Sequence, residues 1–210
     1  MTAIPRSAGL ALTAYGLGTA IAFQASGSPG GDYKDSAVTK YIAFHHFWLA
    51  AGLWYLSAVC SLGLLVLGLG LRDQPAVGRI LGSLTTAAAS VGVAGAFVAG
   101  GLAVSMAEGG TTVRRGTPHA VIYVISEIGN VLAVCAPALC VGVAAIVLAL
   151  GTTSLPGWLR GFSVIAGICG VLAPFFFTYF VFVIWAVVAG VVIATRRVAT
   201  TSRPAEQVMA

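Results

Sequence analysis

Charge is what this chain has least of. Its 210 residues carry 11 Lys and Arg and 6 Asp and Glu, so charged residues make up only 8%. A water-soluble domain carries about 25%, and so thin a supply argues against a soluble globule. Acidic groups are the scarcest, and only one of them, Glu127, lies inside an apolar run. Without a second carboxylate there, paired-acid chemistry such as glycoside hydrolysis has no residues to work with. The sequence also lacks a Gly-rich phosphate loop, a GxSxG elbow, and HxxxH or HExxH spacing. Its four cysteines (Cys60, Cys135, Cys140, Cys169) sit in apolar runs with no CxxC among them. They read as free thiols packing as small apolar groups, with no disulfide or metal framework. The basic residues are scattered, which argues against a nucleic-acid partner despite the net charge of +5.

What the chain has in abundance is apolar sequence: 59% hydrophobic residues and a mean hydropathy of +0.98. The expected fold is all-α, a polytopic transmembrane helical bundle of about six spans with no soluble domain, because each span takes about 20 residues. The spans are expected at about residues 7–25, 45–71, 79–107, 119–150, 160–173 and 176–195 of a single membrane domain, followed by a short cytoplasmic tail at 196–210. Ala20-Ile21-Ala22 has the form of a signal-peptidase site, but the run after Arg6 is read as a retained first span.

The stretch 161–195 admits two readings. As one helix its 35 residues would reach about 52 Å, well past a core of about 30 Å. Pro174 stands in its middle and removes a helical hydrogen bond, so a hairpin is expected, with five spans as the alternative. Six spans place Arg6, Arg72, Arg79, Arg160, Arg196, Arg197 and Arg203 inside, and Lys34, Lys40, Arg114 and Arg115 outside. That split obeys the positive-inside rule. Five spans with an external N-terminus split the charges equally well. The expected location is the cell membrane, multi-pass, with both termini cytoplasmic.

Packing between spans in lipid comes from small residues. Ala88, Gly92, Ala96 and Gly100 recur every four residues and form one smooth ridge on the third span. Aromatic residues crowd the start of the second span (Tyr41, Phe44, Phe47, Trp48, Trp54, Tyr55) and are expected to anchor it at the interface. The Phe175–Phe177 cluster with Tyr179 and Phe180 is expected to face lipid.

One polar constellation stands out. His119, Tyr123, Glu127 and Asn130 are spaced by four, four and three, which puts them on one helical face with Ser126 beside them. An ionisable group in a span is costly, and it marks a functional site or faces a wet cavity. Counting back from Gly151, Glu127 is about 36 Å along the helix, so the face belongs to an outer vestibule near the headgroups. His45 and His46 begin the second span on the same side of the membrane. With His46 the face makes a candidate ligand-binding set. His45, His46 and His119 are weak candidates for metal or haem b ligation, since imidazole is a common ligand.

Three functional readings follow, in order. The first is a non-catalytic membrane subunit or assembly partner docking on other membrane chains, or on itself, through Gly/Ala faces. The second is a carrier or small enzyme with an outward polar vestibule for a small or lipidic ligand. The third is a haem-bearing redox subunit.

Overall fold

The computed structural model describes residues 4–43, 46–73, 77–151, 155–175 and 177–195, and within them the chain is helical with no strand. Among these residues nine α-helices run in order: α1 Arg6–Ala25, α2 Asp35–Ala43, α3 Phe47–Leu71, α4 Gly78–Glu108, α5 Gly110–Gly116, α6 His119–Asn130, α7 Ala136–Gly151, α8 Gly157–Val171 and α9 Phe177–Thr195. Prolines punctuate them. Pro5, Pro118 and Pro156 stand immediately before α1, α6 and α8 with φ of −67°, −57° and −58°, where a fixed φ and a missing N–H do no harm to the helix that follows.

Among the described residues five helices are long and apolar enough to cross a membrane: α1, α3, α4, the continuous His119–Gly151 rod formed by α6 and α7, and α9. The sixth apolar helix, α8, is shorter. Each of the six packs mainly on two neighbours. α1 packs on α3, α3 on α4, α4 on α7, α7 on α8, α8 on α9, and α9 returns to α1. The bundle is therefore a closed ring, and its core includes the buried side chains of Tyr15, Trp54, Leu64, Leu81, Tyr179 and Phe182.

Small residues set the spacing, as lipid-embedded packing requires. The ridge Ala88, Gly92, Ala96 and Gly100 is buried within the chain. A Cβ on Gly95 would lie 2.1 Å from the Ala133 amide nitrogen, so α4 meets the α6–α7 rod backbone to backbone. A Cβ on Gly9 would lie 2.5 Å from Gly190 O, which joins α1 to α9 in the same way.

The α6–α7 rod is not uniform. Val131–Cys135 form a π-helical turn in which Ala136 donates to Val131 O. Such a bulge inserts an extra residue into the turn. It turns the polar face of α6 away from the register of α7, whose Pro137 lacks an N–H of its own. The hairpin between α8 and α9 closes at a 3₁₀ turn, Ala173–Phe175, around Pro174. Cys135 Sγ donates to Ala173 O at 3.5 Å, so the hairpin tip lies level with the π turn. Fifteen residues of α8 reach about 22 Å, and α6 rises beyond that tip.

Several residues differ from their expected roles. The segment 26–44 lies between the first two expected spans and has no long apolar run, yet α2 forms within it, with Asp35 in its first turn and Lys40 in its last, signs that suit the helix dipole. Tyr41, Phe47 and Trp54 are buried and do not anchor at the interface, whereas Trp48 and Tyr55 are exposed; Phe44 lies outside the described residues. Tyr41 and Phe47 pack edge to face at 5.4 Å, and burial pushes the Tyr41 hydroxyl up to about 12. Phe175 and Phe177 are exposed, but Tyr179 turns inward and donates to Thr19 Oγ1 at 3.0 Å.

Candidate functional site

The polar face of α6 meets the chain's own loop. Residues 26–35 leave α1, fold over this end of the bundle and enter α2. Gly27 and Gly31 have φ of +66° and +76°, a left-handed conformation in which a side chain is strained. Gly30 runs so close to α6 that a Cβ would sit 2.8 Å from Asn130 Nδ2 and 2.9 Å from Glu127 Oε2. The segment Ser26-Gly27-Ser28-Pro29-Gly30-Gly31 is thus built to lay bare backbone on a helix.

Four side chains of the α6 face hold that backbone. Ser126 Oγ donates to Pro29 O at 2.8 Å, and Asn130 Nδ2 donates to the same oxygen at 3.3 Å. Gly31 N–H donates to Glu127 Oε2 at 3.2 Å. The Tyr123 hydroxyl donates to Gly31 O, and its ring packs edge to face on Tyr33 at 5.2 Å. One turn further out, His119 Nδ1 lies 2.6 Å from Asp35 Oδ1. On the other flank Trp54 Nε1 donates to Ser28 Oγ at 3.4 Å. The result is a latch from five α6 side chains to loop residues 29–35.

Its electrostatics are mild. Glu127 is half-buried and is solvated by an amide, without a counter-ion in the contacts above. Arg114, a natural partner for it by position, instead donates to Met106 O at 2.8 Å and stacks over the Phe47 ring at 4.6 Å. The hydrogen bond from His119 holds the Asp35 carboxyl below the usual carboxylate range. Both partners of that pair are substantially exposed, so its attraction is screened.

His46 stands exposed just before α3, and its carbonyl accepts the Ala50 amide at 3.0 Å. His45 lies outside the described residues. Among the described residues no group of three or more His, Cys, Asp and Glu side chains could hold a metal ion. Asp35 takes Nδ1 of His119, so that ring has only Nε2 left to offer.

One atom of the face is unsatisfied. Asn130 Oδ1 is buried and has no hydrogen-bond partner among the described residues. Pro29, Gly31, Asp35 and Trp54 complete the site, and sequence spacing did not single them out. The Gly-rich run in 26–31 was the available signal. No protein-family model matches this chain, and neither a curated protein nor a solved structure is found similar to it.

Proposed function

We propose that this chain is a non-catalytic membrane subunit, six spans in the cell membrane with both termini cytoplasmic, whose outer end is a rigid cap offered to another membrane chain or a second copy. The observation that carries this reading is the latch. A substrate site keeps a few convergent polar groups aimed into a concavity, whereas here Tyr123, Ser126, Glu127 and Asn130 all bond loop backbone. The Gly/Ala ridge of α4 is likewise used within the chain. Partner contact then falls on the cap and on outward apolar side chains. Cross-linking in native membranes should yield species heavier than the 21.3 kDa chain. An exclusively monomeric pattern at native expression contradicts the proposal.

The topology has its own check. Single cysteines at Thr112 and Ala205, in a background without native cysteine, should react with an impermeant reagent from outside at the first position only. External labelling at Ala205 overturns the six-span arrangement.

One observation favours a second reading, a vestibule for a small or lipidic ligand. The unpartnered Asn130 Oδ1 beside Glu127 is an acceptor pair suited to a hydroxyl or amine donor. That site exists only when residues 29–31 lift away from α6. A ligand of this kind should therefore bind tighter once the loop is loosened, and unchanged binding in a loosened variant counts against it.

A further inference from the structure

At the end of the bundle opposite the latch, α3 and α4 are faced with glycine. A Cβ on Gly82 would sit 3.9 Å from Gly68 O, and beside this glycine contact the helices leave an outward-facing groove of about 850 Å³. Leu65 and Leu69 form its α3 wall, and Arg72 and Arg79 stand at its mouth. Both arginines are exposed, and neither makes an ion pair among the described residues.

The α4 side carries a feature that lipid alone does not explain. Arg79, Ser83, Thr86 and Ser90 follow at intervals of four, three and four, which puts them on one helical face. All four are exposed. Polar side chains in spans normally turn toward the bundle. Ser90 Oγ returns to Thr86 O at 3.0 Å, while the Ser83 and Thr86 hydroxyls have no partner among the described residues. The stripe from Arg79 to Ser90 is about 16 Å long, half of a core of about 30 Å. Its depth is therefore one leaflet.

We infer that this groove holds a single anionic phospholipid, its phosphate between Arg72 and Arg79. The Ser83 and Thr86 hydroxyls meet the ester region, and an acyl chain lies along Leu65, Leu69 and Ala87. Charge complementarity selects this occupant over a neighbouring helix. Two guanidiniums that make no ion pair among the described residues suit a phosphate, which arginine binds in a bidentate fork, and basic pockets between membrane helices take anionic headgroups. An apolar helix would leave both cations without a partner.

Native mass spectrometry of the full chain from mild detergent tests this, with phosphatidylglycerol or phosphatidylcholine added in equal excess. One phosphatidylglycerol should be retained at least tenfold over phosphatidylcholine. Arg72→Gln with Arg79→Gln should cut retention at least tenfold, while Arg115→Gln, at the other end of the bundle, should leave it unchanged. Ala87→Trp fills the groove with both charges in place and should also expel the lipid, which tests the site even if the double variant fails to fold. Equal retention of the two lipids, retention undiminished in Ala87→Trp, displacement by inorganic phosphate, or a protein chain found in the groove each overturns the inference.

Discussion

Glu127 and Asp35 hold the same loop by different means, and substitution separates them. The Glu127 carboxylate accepts the Gly31 amide, a charge-assisted bond worth about 1.5–3 kcal/mol when buried and less at this half-exposed position. Glu127→Gln keeps the shape, so the chain should stay folded while the Gly31 amide exchanges its hydrogen several-fold faster. Unchanged protection of that amide would show that the carboxylate does not hold the loop. Asp35 responds to pH. Its pKa is depressed in the fold by the His119 hydrogen bond, so its contribution is fully present above the unfolded value, about 3.9, and is lost as pH falls through the lower folded value. Exchange at the Ala37 and Val38 amides, which bond Lys34 O at the start of α2, should rise below about pH 4 once normalised to intrinsic rates. Asp35→Asn should flatten that dependence, and an equally steep profile in the variant contradicts the assignment. The α6 face was legible in sequence because four polar residues at helical spacing in an apolar run are conspicuous. Its partner was not. The loop lies 84 to 101 positions away and mostly presents main-chain atoms, which every residue possesses.

At the scale of elements, glycine position decides how closely helices approach. Gly95 and Gly101 both lie in α4, but a Cβ on Gly95 would strike the Ala133 backbone at 2.1 Å, whereas one on Gly101 would meet nothing within 4 Å. Gly95→Ala should lower stability by about 1–3 kcal/mol, the usual cost of overpacking. Gly101→Ala should be neutral or stabilising by about 0.5–1 kcal/mol, since a mid-helix glycine is itself unfavourable. Thermal unfolding in detergent compares the two, and equal melting temperatures would refute the close approach of α4 to the α6–α7 rod. The four-residue ridge announced that α4 had a packing face, but periodicity could not say against which helix. The short helices were hidden for a related reason. α2 and α5 lie in polar segments with no long apolar run, and α2 is fixed by its buried Val38 and Tyr41 and by the His119–Asp35 contact. Tyr41 and Trp54 resembled interfacial anchors because burial beneath a loop leaves no mark on composition.

For the whole molecule, scarcity of charge announced a membrane helical bundle, and five long apolar helices with a shorter sixth form it as a closed ring. The π turn at Val131–Cys135 aims the α6 face at the cap, and the cap turns a would-be vestibule into an internal contact. The central claim is that residues 29–31 rest on α6 in the membrane. A cysteine pair at Gly30 and Asn130, with Cys60, Cys135, Cys140 and Cys169 replaced, tests it most directly. A Cβ on Gly30 would lie 4.0 Å from Asn130 Cγ, one bond beyond Asn130 Cβ, so a shift of the loop toward α6 would bring the two Cβ atoms to the separation that a disulfide needs, about 3.5–4.5 Å. Mild oxidation of native membranes should close this pair nearly completely and block alkylation of both thiols. A matched pair at Gly30 and Thr112 should stay open. Two free, fully alkylated cysteines at 30 and 130 under the same oxidant would mean that the loop does not sit on α6, and the latch would have to be abandoned.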